Sequence, residues 1–218
     1  MLFIAIAVAV ATFVVFNVDS FWADRIKVST PVFAALASTA ALIGATAQYF
    51  ETSQRQAILN TIEGHSRWSD ATWESRHHLT RVLGEGVLSE KIARAFAEES
   101  ELADIEWPSG NAPSLEDRER LFREMVSVLN GLERLSIAVH RGAYDLDTLH
   151  TLAGTVIVRQ WERYEPYVKA RRSARRPMRR QTRTFTNLEE LAQVLKSRRL
   201  KDQKKEVDRD YLSRLSTG

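Results

Sequence analysis

Glu133 is the first residue whose type and position suggest chemistry, because it follows Leu132 in an apolar repeat that predicts an amphipathic helix. A carboxylate beside a buried face needs a cation or hydrogen-bond donors. Arg159 and Arg163 lie on the next predicted helix and could supply that charge. We therefore expect a structural ion pair among Glu133, Arg159 and Arg163. An acid or base catalyst is less favoured, since no second carboxylate or nucleophile accompanies Glu133.

Four further side chains cluster near the end of that helix and could suggest a metal: His140, Asp145, Asp147 and His150. Their spacing matches no metal-ligand motif, and Asp145 has a simpler interpretation as a helix N-cap. The chain contains no cysteine, which excludes thiolate zinc sites and disulfides. Phosphate-binding glycine loops, dinucleotide fingerprints and serine nucleophile elbows are also absent from the sequence. The sequence thus predicts no metal, no cofactor and no enzyme.

An arginine-rich segment follows these helices and is the strongest binding signal in the chain. Its arginines are Arg171, Arg172, Arg175, Arg176, Arg179, Arg180 and Arg183. Such a segment favours anionic lipid headgroups, where each charge contributes about 1 kcal/mol near the membrane. An acidic protein partner or the chain's own acidic domain is the next alternative, and a solvated linker is a third. Nucleic acid is least favoured because no aromatic residue is interleaved for base stacking.

The formal charge of +3 conceals a division of the chain into three parts. Residues 1–50 contain 2 basic and 2 acidic side chains, residues 51–170 contain 14 and 20, and residues 171–218 contain 15 and 6. The resulting charges are 0, −6 and +9. We interpret these parts as a membrane segment, an acidic helical domain, and a basic linker with a C-terminal helix. Such charge asymmetry is typical of a chain whose basic part binds an electrostatic partner.

The first part predicts a transmembrane helical hairpin. Residues 2–18 and 31–50 are apolar and uncharged, and a helix of about 20 such residues can cross a bilayer. Residues 19–30 contain two acidic and two basic side chains and predict a polar bend, with Pro31 opening the second helix. A cleaved signal peptide is the alternative for the first run, but no lysine or arginine precedes it.

Small residues recur at four-residue spacing in the second apolar run, as in Ala37 and Ala41 or Ala40 and Gly44. This spacing permits close helix packing in lipid, and we favour packing within the hairpin over a homo-oligomer. Two spans place both termini on one side of the membrane, and the arginine-rich tail favours the cytoplasm. We expect a two-pass protein of the inner (plasma) membrane with a cytoplasmic domain.

The second part predicts several helices. The pattern indicates a helix to residue 62, a break at residues 64–70, and helices over 71–83 and 89–99. Residues 107–113 predict a loop. Ser114 and Asp117 form a capping-box pattern before an apolar seam that includes Leu121, Met125, Val128, Leu132, Leu135 and Val139.

The seam predicts a long helix that ends at Gly142, and Asp145 predicts the start of the next. The buried face of that next helix is predicted to contain Leu149, Leu152, Val156, Gln160 and Tyr164, with a kink or stop at Pro166. We expect these two helices to form an antiparallel hairpin that is the core of the domain. A last helix begins at residue 186 or 187, with Leu188, Leu191 and Leu195 on one side, and we expect it to bind a partner or to pack weakly.

The residues LNGLERLSIAVHRGAYDLDTL, from Leu129 to Leu149, and the aromatic helix that ends at residues 169–172 resemble a family of uncharacterised bacterial and phage-associated proteins. The resemblance implies one or two N-terminal membrane helices and a small cytoplasmic all-helical domain of unknown function. It implies no catalytic residue.

These observations lead to one functional interpretation and one alternative. The chain is interpreted as a membrane-anchored helical interaction or scaffold module whose basic tail binds anionic lipid or an acidic partner. The alternative is a membrane-tethered nucleic-acid-binding or phage-defence effector.

Overall fold

The computed structural model describes residues 20–98, 107–108, 110, 113–173 and 184–216, and it describes the side chains of residues 34–35, 37–97, 107–108, 110, 113–173 and 184–206. The described residues form five α-helices and no strand, which confirms the predicted all-α class. The helices are α1 Ser20–Leu83, α2 Glu90–Glu98, α3 Leu115–His140, α4 Leu146–Ser173 and α5 Thr186–Ser216. The chain divides into two compact units, Met1–Gln56 and Ala57–Gly218.

Helix α1 is continuous across two breaks that the sequence predicts, so both of those predictions are wrong. Residues 20–30 are helical rather than a bend, since they contain no glycine or proline, and Pro31 lies inside the helix instead of opening it. Gly64 also lies within the helix, where an added Cβ would clash with the Tyr144 ring. Glycine at this position therefore permits close packing and does not end the helix. The helix does end at the predicted Gly84, whose φ is +77°.

The predicted transmembrane hairpin gains no support from the structure. Residues 2–18 lie outside the described residues. Among the described residues, no helix combines the length and apolar character that crossing a bilayer requires. The described side chains of residues 34–50 are all exposed.

The ends of α3 and the start of α4 confirm the local predictions. The Asp117 amide donates to Ser114 Oγ at 3.2 Å, so Ser114 is the N-cap. Gly142 has a φ of +70° after the helix, as expected for a left-handed C-terminal residue. The Thr148 amide then donates to Asp145 Oδ1 at 2.7 Å, which makes Asp145 the N-cap of α4.

The predicted buried face of α4 is partly wrong. Leu149 and Tyr164 are buried, but Leu152 is 45% exposed. The buried seam includes Ala153, Ile157, Trp161 and Val168. The helix also continues through Pro166 to Ser173 rather than stopping there.

The core differs from the predicted hairpin because α5 is part of it. The helix pairs that pack over the largest number of residues are α2 with α4, α4 with α5, and α3 with α5. Leu188 and Leu195 of α5 are fully buried and Leu191 is 6% exposed, so the three predicted leucines do share one face. That face packs into the bundle instead of remaining available to a partner. Helices α3 and α4 still touch through side chains, such as the edge-on rings of Phe122 and Tyr167, whose centroids are 6.2 Å apart.

Candidate functional site

Arg163 of α4 closes the C-terminal end of α1. Its guanidinium donates to the Leu79 carbonyl at 3.1 Å, to Thr80 Oγ1 at 2.8 Å and to the Gly84 carbonyl. The residue is 6% exposed, so these bonds form away from water. A cation at this position also complements the negative end of the helix dipole. Arg163 is thus a tertiary C-cap.

Glu133 of α3 has the opposite function at the start of α5. Its carboxylate accepts from the Leu188 amide at 2.8 Å and from Asn187 Nδ2 at 2.7 Å. The predicted ion pair among Glu133, Arg159 and Arg163 is therefore wrong. Glu133 and Arg163 bind other groups, and Arg159 is exposed. Glu133 satisfies an orphan N–H of the first turn of α5, where negative charge is stabilised.

The first two arginines of the predicted binding segment are also used inside the bundle. Arg171 Nη1 donates to the Ala97 carbonyl at 2.8 Å, near the end of α2. Arg172 donates to the Thr184 carbonyl at 2.8 Å and 3.0 Å and pairs with Glu189 at 2.6 Å. The other five, Arg175, Arg176, Arg179, Arg180 and Arg183, lie outside the described residues.

The four side chains that could have suggested a metal do not converge. His140 is exposed at the end of α3, Asp147 accepts from Arg198 Nη1, and His150 Nε2 lies 3.9 Å from an Asp202 oxygen. The hydrogen bonds from Thr148 lower the pKa of Asp145, as expected for an N-cap. Within the described ranges, no group of three or more histidine, aspartate and glutamate side chains could hold a metal ion.

Tyr164 lies at the centre of the bundle and has no exposed surface. Its hydroxyl has no hydrogen-bond partner among the described residues. Burial raises the pKa of Tyr164 to about 12, and the nearby Arg163 charge opposes that shift. The phenol therefore remains neutral at physiological pH and acts as a packing group.

A basic cleft between α1 and α3, of about 680 Å³, is the feature that these structural contacts leave available. Its lining includes three arginines, Arg67, Arg123 and Arg134, and no aspartate or glutamate. The polar lining residues Ser127 and Asn130 lie on α3 between the latter two arginines.

Trp68 lines the basic cleft, but it is only 6% exposed, so little of the indole is open to a ligand. An added Cβ at Gly131 would lie 2.5 Å from Trp68 Cδ1, so only glycine permits the indole to approach α3 this closely. The Arg76 guanidinium lies 4.7 Å from the centroid of the indole ring and donates to Ser69 Oγ and the Ser69 carbonyl, each at 3.2 Å. Burial lowers the pKa of Arg76. The indole is therefore held in place as part of the cleft wall.

The guanidinium groups at the rim of the basic cleft are exposed. Arg123 and Arg134 form no hydrogen bond or ion pair with any residue that the structure describes. Arg67 pairs with Glu63 at 2.5 Å, but both side chains are more than 60% exposed, and such pairs contribute little to stability. The cleft can therefore offer positive charge to an external group.

Sequence reasoning missed the basic cleft although one signal was present. Arg123, Ser127, Asn130 and Arg134 follow one another at spacings of four, three and four, which places them on one stripe of α3. The apolar seam of the same helix predicts only its buried face. The contribution of α1 could not be predicted, because the expected break at residues 64–70 falls on the part of α1 that lines the cleft.

Comparison with known proteins supplies a family and no activity. No curated protein and no solved structure matches the chain. The family described as domain of unknown function DUF4760 matches residues 31–196, which is more than half of the chain. The protein therefore belongs to the DUF4760 family, whose function is unknown.

Proposed function

We propose that the protein is a membrane-attached helical binding module. The observation that carries this proposal is the apolar segment of α1, defined here as residues 34–50. Leu42, Ile43, Tyr49 and Phe50 are 62–70% exposed there. Large apolar side chains grouped on an exposed surface are typical of a membrane or protein contact.

The polar side chains of the apolar segment do not oppose contact with lipid. The hydroxyls of Ser38, Thr39 and Thr46 each donate to the carbonyl four residues earlier, at 2.7–2.8 Å. These bonds satisfy the hydroxyls within the helix itself. Lipid offers no hydrogen-bond partners, so internal satisfaction is what a lipid-facing helix needs. No charged residue occurs in residues 34–50.

A binding role fits the described domain better than catalysis because the charged groups near its core have structural partners. Glu133 caps α5, Arg163 caps α1 and Asp145 caps α4. A general acid or base must be able to reach a substrate proton, and these groups already hold backbone atoms.

The arginine-rich segment is proposed to bind anionic lipid headgroups through Arg175, Arg176, Arg179, Arg180 and Arg183. Arg171 and Arg172 contribute less, since both donate to backbone carbonyls of the bundle. To test this, full-length protein is allowed to partition between neutral vesicles and vesicles that contain phosphatidylglycerol. Replacing the five arginines with alanine should abolish the preference for anionic vesicles, whereas replacing them with lysine should retain it because charge is retained. If the lysine variant also lost the preference for anionic vesicles, the lipid assignment would be contradicted.

Membrane attachment is tested by replacing Leu42, Ile43 and Phe50 together with glutamine. Full burial of such a side chain contributes about 1.5–3 kcal/mol, so three that are about two-thirds exposed contribute roughly 3–6 kcal/mol. We expect full-length protein to remain in alkaline-washed membranes and a larger share of the triple variant to be released, although its apolar residues 2–18 are unchanged. The matched control replaces Val87, Leu115 and Leu200 with glutamine. These residues lie outside the apolar segment and are 60–72% exposed, so the control should remain in the membranes.

Two results would contradict the membrane proposal. The first is recovery of the wild-type protein in the soluble fraction. The second is equal release of the triple variant and its control. If the soluble wild-type protein were oligomeric and the triple variant monomeric, the apolar segment would be a contact between copies of the chain.

A further inference from the structure

We infer that the basic cleft is a binding site for a phosphate-bearing small molecule of mononucleotide size. The inference is independent of membrane attachment, because all residues that line the cleft belong to the compact unit Ala57–Gly218.

The lining of the basic cleft is positively charged, although it lies in an acidic part of the chain. Residues 51–170 contain 14 basic and 20 acidic side chains, so this part of the chain is acidic as a whole. The cleft departs from that balance, with three arginines and no carboxylate in its lining. Glu124 lies on α3 beside Arg123, but it is directed elsewhere: its oxygens bind His78 at 2.6 Å and Arg120 at 2.9 Å. Glu63, which does not line the cleft, pairs with Arg67, so the charges of Arg123 and Arg134 are the ones that no described residue pairs.

The cations that line the basic cleft are of the type that suits phosphate. Every cation in the lining is arginine, whose planar fork binds two oxygens of one phosphate at once. Arg123 and Arg134 are 11 residues apart on α3, which is about 16 Å along a helix at ~1.5 Å per residue. Both line the cleft, and Ser127 and Asn130 lie between them and offer further hydrogen bonds.

The basic cleft has the size and the mixed polar and apolar walls of a small-molecule site. Small-molecule sites occupy roughly 300–1,000 Å³ and combine apolar walls with a few polar groups. This cleft has about 680 Å³, and its apolar lining includes the partly exposed side chains of Phe122, Val126 and Tyr144. A compact ligand with one apolar or aromatic part and one phosphorylated part matches both surfaces. A nucleotide has these two parts.

The test measures binding of ATP, AMP and inorganic pyrophosphate to the full-length protein by isothermal titration calorimetry at 150 mM salt. We expect ATP to bind, and pyrophosphate to bind more weakly because it lacks a group for the aromatic wall. Replacing Arg123 and Arg134 with alanine should raise the Kd for ATP at least 100-fold, on the basis of about tenfold for each bond to a charged group. The replacement of Asn130 by aspartate, which adds a negative charge at the rim, should also weaken binding about tenfold.

The matched control replaces Arg81 and Arg159 with alanine. Both are exposed, neither lines the cleft, and the change in net charge is the same. The control should bind ATP with wild-type affinity. Equal weakening in the control would overturn the assignment, since it would show attraction by net charge alone. Failure of wild-type protein to bind any of the three probes at 1 mM would overturn it as well.

Discussion

Arg163 provides the sharpest stability test of the bundle because one buried side chain completes the end of another helix. The perturbation is Arg163→Met, which keeps much of the aliphatic stem and removes the guanidinium. Its bonds to the carbonyls of Leu79 and Gly84 and to the Thr80 hydroxyl are then lost.

The expected magnitude follows from two opposing effects. Hydrogen bonds to a charged group contribute about 1.5–3 kcal/mol each, and a buried carbonyl left without its donor costs about 1–3 kcal/mol. An opposite effect reduces this loss. Burial of the Arg163 cation away from water costs the wild-type protein several kcal/mol, and the methionine variant does not have this cost. We expect the free energy of unfolding to fall by about 3 kcal/mol, or roughly 100-fold in the folded to unfolded ratio. Arg163→Lys should lose about half as much, since lysine keeps the charge without the planar fork.

Urea unfolding of the full-length protein, followed by the helical circular dichroism signal, measures this difference. The control is Arg159→Met, the same substitution on the same helix at an exposed position. It should change the free energy of unfolding by less than about 0.5 kcal/mol. The capping argument fails if Arg163→Met is no more destabilising than Arg159→Met at an equal urea dependence.

Three further predictions concern single side chains. Glu133→Ala should lower the free energy of unfolding by about 1–3 kcal/mol, and Glu133→Gln by less, because glutamine keeps one acceptor for the Leu188 amide; equal effects in urea titrations would contradict a capping role. Tyr164→Phe should be neutral or slightly stabilising at pH 7, since the hydroxyl has no partner among the described residues. Burial raises the pKa of Tyr164 to about 12 in the folded state, so the folded state favours the protonated phenol. The stability that this preference contributes is complete below pH ~10 and is lost as the pH rises toward 12. Tyr164→Phe should therefore flatten this decline of the free energy of unfolding. The pKa of Asp145 is lowered in the folded state, so the stability that its carboxylate contributes is lost as the pH falls below about 4. Asp145→Ala should remove this acid dependence and lower the free energy of unfolding by about 0.5–2 kcal/mol at pH 7. A variant whose stability still falls with acid as in the wild type would contradict the capping role.

Local signals predicted the helix ends well. Ser114, Gly142 and Asp145 act through hydrogen bonds or φ angles within a few residues of themselves, so their functions can be predicted from adjacent sequence. The α4 seam was misplaced because Ala153 is small and contributes little to an apolar pattern, whereas Leu152 is large but partly exposed.

Contacts between distant parts of the chain could not be predicted in the same way. Arg163 binds a carbonyl 84 residues earlier, and Glu133 binds an amide 55 residues later. Both pairings depend on where α1 and α5 pack, and no local pattern contains that information. Gly64 shows the same limit, since its sequence suggests a helix break while its packing against Tyr144 is the physical reason for glycine.

The contribution of α5 to the core also sets an order of events during translation. Leu195 is fully buried and lies 145 residues after Phe50, the last residue of the apolar segment. At about 5–20 residues per second, roughly 7–30 s separate the synthesis of these two positions. The apolar segment is therefore complete well before the ribosome has supplied the last leucine that the bundle needs to close. Under the proposed membrane attachment, targeting of the nascent chain precedes folding of the domain.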